Sequence, residues 1–576
     1  MTLIKKKLPF VLLLLLVGVV LLPARVWVVA PSGGDFTKIQ DALNRAGAGD
    51  TILVREKNPA YHEQIYFPHS GNASKGYITL MAYPGEHPVL DGQGGYRSNM
   101  VAIHNQSYIR IIGFEIRNLQ NVSDGSGIRI TGYGSHLEIR NNTIHDIRGT
   151  SAMGITVYGT SDQPIEYLII DGNVIYDCQP APSEALVLNG NVTHFEVTNN
   201  IVRDVNNIGI DFIGGETDIQ PDTAKVARNG VCRGNQVYRA NSSYGDGYAA
   251  GIYVDGGRDI IIENNIVSGC DLGIEIGAEN AGMVTRGIKV RNNILYLNEK
   301  TGLVFGGYAS YTGRVKHCEF TGNTLYKNDV LQIGWGELWI QYASHCDIRN
   351  NIFYANDQNR LSYSESGNEN NTLDYNLWYT ESGDFEIVWR GHTYTSLSQF
   401  QQATGMSAHG LVANPEFVDA SQQDFHLTAR SPAIDRGDPN FQAERGETDI
   451  DGEARIFNSR VDIGADEYGA VVKIGTVSPE VIPGSIMLTE VFPNPFNGQV
   501  AIQVTTKAAS PAPELVIVDT LGRLVIQLNP TYHQGNQWGF SWDGRNQNGQ
   551  GVASGVYLIL ARWQKEVVAK KIQFIQ

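Results

Sequence analysis

Ile262-Glu-Asn-Asn-Ile-Val267 is followed 28 residues later by Val290-Arg-Asn-Asn-Ile-Leu295, and the pattern apolar-x-(Asn/Gly)-Asn-x-apolar recurs along most of the chain. Upstream it reads Ile139-Arg-Asn-Asn-Thr-Ile144, Ile170-Asp-Gly-Asn-Val-Ile175, Val197-Thr-Asn-Asn-Ile-Val202 and Cys232-Arg-Gly-Asn-Gln-Val237. Downstream it reads Phe320-Thr-Gly-Asn-Thr-Leu325 and Ile348-Arg-Asn-Asn-Ile-Phe353. Aligned on the second asparagine of each unit (Asn142, Asn173, Asn200, Asn235, Asn265, Asn293, Asn323, Asn351), the repeats lie 27 to 35 residues apart. Each unit holds short stretches of alternating apolar residues, the period of a strand with one buried face. A repeat near 28 residues with strands this short predicts one coil of a parallel β-helix, about ten coils in all. Asparagine at one turn of every coil has a physical reason. It tolerates the left-handed bend, and its amide can bond to the next asparagine down the stack.

Composition agrees. The chain has 576 residues, 63 of them glycine, and only 18% are charged. The 60 acidic and 44 basic side chains give a net charge of −16, which argues against nucleic acid as a partner. Five cysteines are too few and too scattered for a disulfide scaffold. Cys318 and Cys346 fall in one inward column on consecutive coils, where stacked buried thiols are preferred to a disulfide. His104, His145 and His345 are spread over distant coils and form no ligand set.

Lys5, Lys6 and Lys7 precede an apolar run, Leu8 to Leu22, and then Pro23-Ala24. This reads as a signal peptide over residues 1–24, in preference to a membrane anchor. The mature protein is therefore expected to be secreted or attached at the outer surface. Thr37-Lys-Ile-Gln40 has the form of a capping box opening a short amphipathic helix, which would cover the open end of the coil stack. The opening Trp27-Val-Val-Ala-Pro-Ser-Gly-Gly-Asp-Phe-Thr-Lys-Ile-Gln-Asp-Ala-Leu43 and Gly49-Asp-Thr-Ile-Leu-Val54 resemble the start of secreted right-handed parallel β-helix proteins, the superfamily of pectate lyases and polygalacturonases. The resemblance implies an all-β fold, with the right-handed β-helix over 25–390.

From about Thr393 the asparagine period stops. Asn414-Pro-Glu-Phe-Val418, Asp424-Phe-His-Leu427 and Val461-Asp-Ile-Gly-Ala-Asp-Glu-Tyr468 resemble the closing segment of bacterial β-helix domains, here 391–469. Asp449-Ile-Asp451-Gly452 lacks the other ligands of a calcium loop and is read as a structural turn capping the last coil. Residues 470–487 read as a linker. Val491-Phe-Pro-Asn-Pro-Phe496, Asp519-Thr-Leu-Gly-Arg523, Trp542-Asp-Gly-Arg545, Gly551-Val-Ala-Ser-Gly-Val-Tyr557 and Lys570-Lys571-Ile-Gln-Phe574 follow in order. Together they resemble the C-terminal sorting domain of type IX secretion substrates. That resemblance implies a small immunoglobulin-like β-sandwich over 488–576, with the type IX machinery as a partner.

The strand that begins with glycine in several coils carries the candidate chemistry. Aligned on Gly127, Gly154, Gly209, Gly251, Gly273 and Gly302, the second positions are Arg129, Thr156, Asp211, Tyr253, Glu275 and Val304. The fourth are Thr131, Tyr158, Ile213, Asp255, Gly277 and Gly306, and both columns face outward. Asp211, Asp255 and Glu275 thus cluster beside Tyr253, and rungs about 4.8 Å apart put Asp211 and Glu275 on the order of 10 Å apart at the backbone. Such a set suits a general acid/base pair across a sugar, or a shared Ca2+ on Asp211, Asp255 and Glu275. Long insertions at 215–229 and 240–249 add Glu216, Lys225, Tyr244 and Asp246 to the same coils. Lys225, Arg258 or Tyr253 are candidate bases for a lyase. Tyr158, Tyr253, Glu279, Asn280, Tyr308, Glu337 and Trp339 are candidate substrate contacts, because aromatic rings beside carboxylates suit sugar faces.

Asp211-Phe-Ile-Gly214 resembles a pectin methylesterase fragment without its glutamine motif, and the paired-Asp and His-Gly motifs of polygalacturonases are absent. The expected function is a monomeric protein acting on an extracellular polysaccharide, first an acidic-polysaccharide lyase with a calcium requirement. A glycoside hydrolase using two of the acids, and a non-catalytic glycan-binding or adhesive surface protein, are the alternatives.

Overall fold

The computed structural model describes residues 24–470, 486–492, 499–506, 512–519, 524–534, 536–547, 549–552, 555–563 and 566–574. The signal-peptide reading and most of the linker lie outside these residues. Among the described residues no helix is long and apolar enough to cross a membrane.

One coil shows the design. Arg258–Glu263 forms a strand on a first face, Ile266–Ser268 on a second and Leu272–Gly277 on a third. Each pairs in parallel with its counterparts in the coils before and after. Alternate residues point inward, so Ile260, Ile262, Val267, Ile274 and Ile276 are fully buried in one continuous core. The solenoid has about 13 turns rather than ten. The difference lies mainly at the start. The first-face strands Val26–Val29, Thr51–Val54, Ile78–Ala82 and Ile109–Ile112 stack in register before the first ladder asparagine. Their turns use other residues, so the asparagine count misses them.

The two turn positions divide the labour. The first residue of each Asn/Gly-Asn pair takes the left-handed conformation: Asn141, Asn199, Asn264, Asn292 and Asn350 have φ of 53–58°, and Gly172, Gly234 and Gly322 sit at 65–67°. The second residue builds the ladder. Asn142, Asn173, Asn200, Asn235, Asn265, Asn293, Asn323 and Asn351 each donate from Nδ2 to Oδ1 of the next at 2.9–3.0 Å, ending on Asn376. The left-handed bend and the amide stack, expected of one residue, are therefore carried by two.

The N-terminal helix spans Ile39–Arg45 and buries Ile39, Ala42 and Leu43. Its capping box does not form. The carboxylate of Glu63 accepts the N–H groups of Ile39 and Gln40 instead, both at 3.1 Å. Parallel pairing continues past residue 390, through Leu411–Val412. Before it, a helix at Leu397–Thr404, capped by Ser396 and by Gly405 in the left-handed conformation, places Phe400 in the solenoid core.

The closing segment then runs back along the outside of the asparagine turns rather than over the last coil. The carbonyl of Thr448 accepts from Asn292 Nδ2 at 2.9 Å, the buried Arg455 donates to Asn292 Oδ1 at 2.9 Å, and Asp438 N–H donates to Asn350 Oδ1 at 2.8 Å. The left-handed asparagines thus aim their side chains outward and the tail grips them. Asp449 is the centre of a turn, its carboxylate accepting the N–H groups of Asp451 and Glu453 at 3.1 and 2.7 Å. Asp451 pairs with His426 at 2.8 Å, which helps raise that imidazole to about 10. All five cysteines are free and buried, Cys318 and Cys346 included.

In the C-terminal part of the chain, Ile486–Phe492, Val500–Thr506, Gln537–Trp542 and Tyr532–Gln534 form one antiparallel sheet. Leu524–Leu528, Glu514–Asp519, Gly555–Trp563 and Glu566–Phe574 form a second. Ile502, Val504 and Phe540 from the first share one core with Leu515, Ile517 and Ile559 from the second, which makes a β-sandwich.

Candidate active site

On the third face, Ile210, Phe212, Ile252, Val254, Ile274 and Ile276 point into the core, so the residues between them point out. Where a glycine opens the strand, close approach requires it. A Cβ on Gly209 would lie 2.5 Å from the carbonyl oxygen of Gly251, and one on Gly273 would lie 2.2 Å from that of Gly302. The outward column runs Val187, Asp211, Tyr253, Glu275, Val304, Trp339, Tyr363 on successive rungs. One step along the strands, Tyr158, Asn189 and Ile213 precede Asp255 and Gly277.

Six carboxylates converge here: Asp211, Asp255, Glu275 and Glu279, joined by Glu184 and Glu216 from the turns. The Tyr253 hydroxyl donates to Glu279 Oε1 at 3.3 Å, and the Glu279 N–H donates to Asp255 Oδ1 at 2.7 Å. Asn189 Nδ2 donates to Glu216 Oε2 at 2.6 Å. The Tyr253 ring lies over Gly277, where a Cβ would come within 2.7 Å of the hydroxyl. Asp211 is buried and its Oδ1 has no hydrogen-bond partner.

Burial and mutual repulsion set the protonation of this group. Burial, then Glu279, raises Asp255 to about 8; burial, then Glu216, raises Glu184 to about 8. Burial and neighbouring carboxylates hold Asp211 and Glu275 well above the usual range, and burial also raises Glu279. Tyr253 is pushed far up by burial and by Glu275. No lysine or arginine is among the charges that chiefly act on Glu184, Asp211, Asp255, Glu275 and Glu279. Near neutral pH Asp255 and Glu184 therefore keep their protons, which is the state a general acid needs.

The family described as "Right handed beta helix region" matches residues 185–326 and 231–388, and the FlgD Ig-like domain matches 493–565. The uncharacterized protein YwoF of Bacillus subtilis (strain 168) is 36% identical over 432 residues, 70% of this chain and 91% of YwoF. The chain belongs to the YwoF family. Among solved structures this YwoF-family chain is similar to pectate lyase Pel9A, at 14% identity and TM-score 0.44 over 77% of this chain and 96% of that one. It is also similar to an alginate lyase from Paenibacillus sp., at 17% identity and TM-score 0.35 over 62% and 97%. For the family 28 exopolygalacturonase of Yersinia enterocolitica the figures are 12% and 0.37 over 68% and 78%.

The YwoF-family solenoid brings Asp211, Tyr253, Asp255, Glu275 and Glu279 together as the sequence predicts, and separates others from them. Lys225 lies away from the acids, its ammonium held by Asp162 and Asp222. Arg258 begins the first-face strand, around the corner from Asp255. Glu337 is not in the groove at all. It is fully buried in the turn before the third face, accepting from Asn328 N–H at 2.9 Å and Nδ2 at 2.6 Å, and so ends a second asparagine ladder from Asn298. Trp339 sits in the outward column, but Trp335 stacks on it at 4.3 Å and buries it. Trp335 is thus the ring nearer the surface.

Tyr308, exposed and edge-on to Tyr311, feels Glu279 and Asp255, as does Tyr244 from the 240–249 loop with Glu184 and Glu279. Tyr158 borders Glu184 and carries Arg129 over its ring at 5.3 Å. The Asn280 side chain joins none of the cluster's hydrogen bonds among the described residues. Glu184 was missed because its coil opens with Ala185 rather than glycine, so alignment on the glycine skipped that rung.

Proposed function

We propose that this protein is an exported carbohydrate-active enzyme that hydrolyses glycosidic bonds of an extracellular polysaccharide in the third-face groove. The observation that carries the reading is the set of Asp211, Asp255 and Glu275 on three consecutive rungs, with raised pKa and no cation among them. Asp255, which keeps its proton near neutral pH, donates to the leaving oxygen, and a second carboxyl of the set, once its own proton is lost, draws the proton from the attacking water. Backbones two rungs apart, on the order of 10 Å, leave room for both the sugar and that water, as an inverting enzyme needs. Trp335, Tyr363, Tyr308 and Tyr311 flank the acids and offer apolar surface to sugar rings.

A second reading, a calcium-dependent lyase for an acidic polysaccharide, is favoured by the unpartnered Oδ1 of Asp211. With Asp255 and Glu275 it would hold Ca2+ on hard oxygen donors, and the ion would neutralise the charge of a uronate. This reading ranks second because Lys225 and Arg258 lie outside the groove and Tyr253, far above its ordinary pKa, is a poor base.

Reducing ends and ultraviolet absorbance, followed together on neutral and uronate glycans with calcium or chelator, separate the readings. Reducing ends without absorbance, insensitive to chelator, are expected. Absorbance from an unsaturated product that chelator removes would replace hydrolysis by elimination. Tight binding without either signal would leave a glycan-binding surface protein. For delivery, we propose a cleaved signal peptide and use of the C-terminal sandwich as a type IX sorting domain, supported by the motifs at Pro493-Asn-Pro495 and Gly551–Tyr557.

A further inference from the structure

On the first face, cations and acids alternate almost everywhere. Arg110 pairs with Glu138 at 2.9 Å, Glu138 with Arg140 at 2.8 Å, and Arg140 with Asp171 at 2.8 Å. Further along, Glu263 pairs with Arg291 at 2.8 Å, and Arg291 with Glu447 at 3.0 Å. One column breaks the rule. Arg228, Arg258, Arg286 and Lys316 face one another on consecutive rungs, and each stands seven residues before its ladder asparagine. Among the described residues none of the four makes an ion pair. Arg228 donates only to neutral oxygens, Asn191 Oδ1 at 3.1 Å and the Val226 carbonyl at 2.8 Å. The Nε of Arg258 is buried without a partner. Asp259, the nearest acid in sequence, lies over Gly287 and pairs with none of them. Thr193 and Ser344 bound the column, so the run of charge is four rungs long, on the order of 14 Å.

Like charges directly opposite one another destabilise a sheet. A chain that neutralises its other charged columns on this face, and whose net charge is −16, leaves this one to an outside anion. We propose that Arg228, Arg258, Arg286 and Lys316 form a binding stripe for a linear polysaccharide bearing regularly spaced carboxylates, laid along the solenoid axis. Guanidinium groups take carboxylates two bonds at a time, and a ladder of them matches anions repeated along an extended chain. Nucleic acid fits less well. Tyr167 and His194, the aromatic neighbours at this column's N-terminal end, lie tilted by 32° against each other at 5.4 Å, so they present no parallel platform for bases. A single basic column on an acidic protein also lacks the broad positive field that phosphate chains require. The stripe stands independently of the groove.

The test uses the full-length protein and fluorescently labelled oligogalacturonate, with a neutral oligosaccharide and a single-stranded oligonucleotide as comparisons, at low and high salt. Oligogalacturonate is expected to bind, and to weaken as salt rises. Arg286→Gln with Lys316→Gln should weaken it roughly tenfold or more while the thermal unfolding temperature stays the same or rises, since two like charges are removed from one column. Binding is read without reference to turnover, so failure of the groove reading does not touch this result. Unchanged binding in the double variant, absence of binding, or equal or tighter binding of the oligonucleotide or the neutral sugar would each overturn the proposal.

Discussion

Asp255→Asn is expected to abolish turnover and, at pH 8, to raise the melting temperature of the solenoid. The two effects have one cause. In an unfolded chain this carboxyl titrates near 3.8, whereas in the fold it keeps its proton to about 8. Between those values the native state binds more protons than the unfolded state, so stability falls as pH rises through the window. Asparagine keeps the shape and still offers an oxygen to the Glu279 N–H, but it never ionises. At about 1.4 kcal/mol per pKa unit, the variant should gain on the order of a few kcal/mol at pH 8. Near pH 4 the gain should vanish. Thermal unfolding of both proteins from pH 4 to 8, with chelator present throughout, measures it. A variant that melts no higher than the parent at pH 8 would show that Asp255 is not held protonated by its neighbours. Crowding acids in a low-dielectric groove stabilises nothing in the fold, and such retained strain is expected where chemistry is performed.

That strain was only partly legible in the sequence. The solenoid could be read because one asparagine recurs at one turn of each coil, and the outward column because glycine opens most third-face strands. Both signals fail where the residue type changes while the geometry does not. The coils before Asn142 turn on other residues, so they were not counted. The rung at Ala185 lacks the glycine, so Glu184 escaped notice although it sits against Glu216. Glu337 looked outward by alternation. Its carboxylate instead replaces an asparagine at the end of a buried ladder, which periodicity alone cannot distinguish. Trp335 covers Trp339 from a loop, a tertiary contact with no local signature. The cationic column is a different case: the offset of seven residues from each ladder asparagine stands in the sequence, and only the register makes it meaningful.

Asn265→Ala should be strongly destabilising, although it removes no apolar contact. Asn265 Oδ1 accepts both the N–H of Asn235 at 2.9 Å and its Nδ2 at 3.0 Å; Asn265 Nδ2 donates to the Cys232 carbonyl at 3.0 Å and to Asn293 Oδ1 at 2.9 Å. Alanine strands the Asn235 N–H and one of the two Asn235 Nδ2 hydrogens (the other stays on the Val197 carbonyl at 2.9 Å), and removes the side-chain bond to the Cys232 carbonyl, in a position fully closed to solvent. Buried polar groups without partners cost about 1–3 kcal/mol each, so a loss of roughly 3–6 kcal/mol is expected. Asn264→Gly, one residue away, provides the contrast. Position 264 holds φ of 54°, which glycine adopts without strain, and Gly172, Gly234 and Gly322 already occupy it in other coils. That variant loses only its contact with the closing segment and should cost about 1 kcal/mol or less. Because coils in a stack communicate through nearest neighbours, the effect should be local. Amide hydrogen exchange should show protection falling in the coils of Asn235, Asn265 and Asn293 for Asn265→Ala, with the first coils untouched. Equal protection in the two variants would mean that water or backbone rearrangement satisfies the stranded groups, and that the ladder specifies register without holding the stack together.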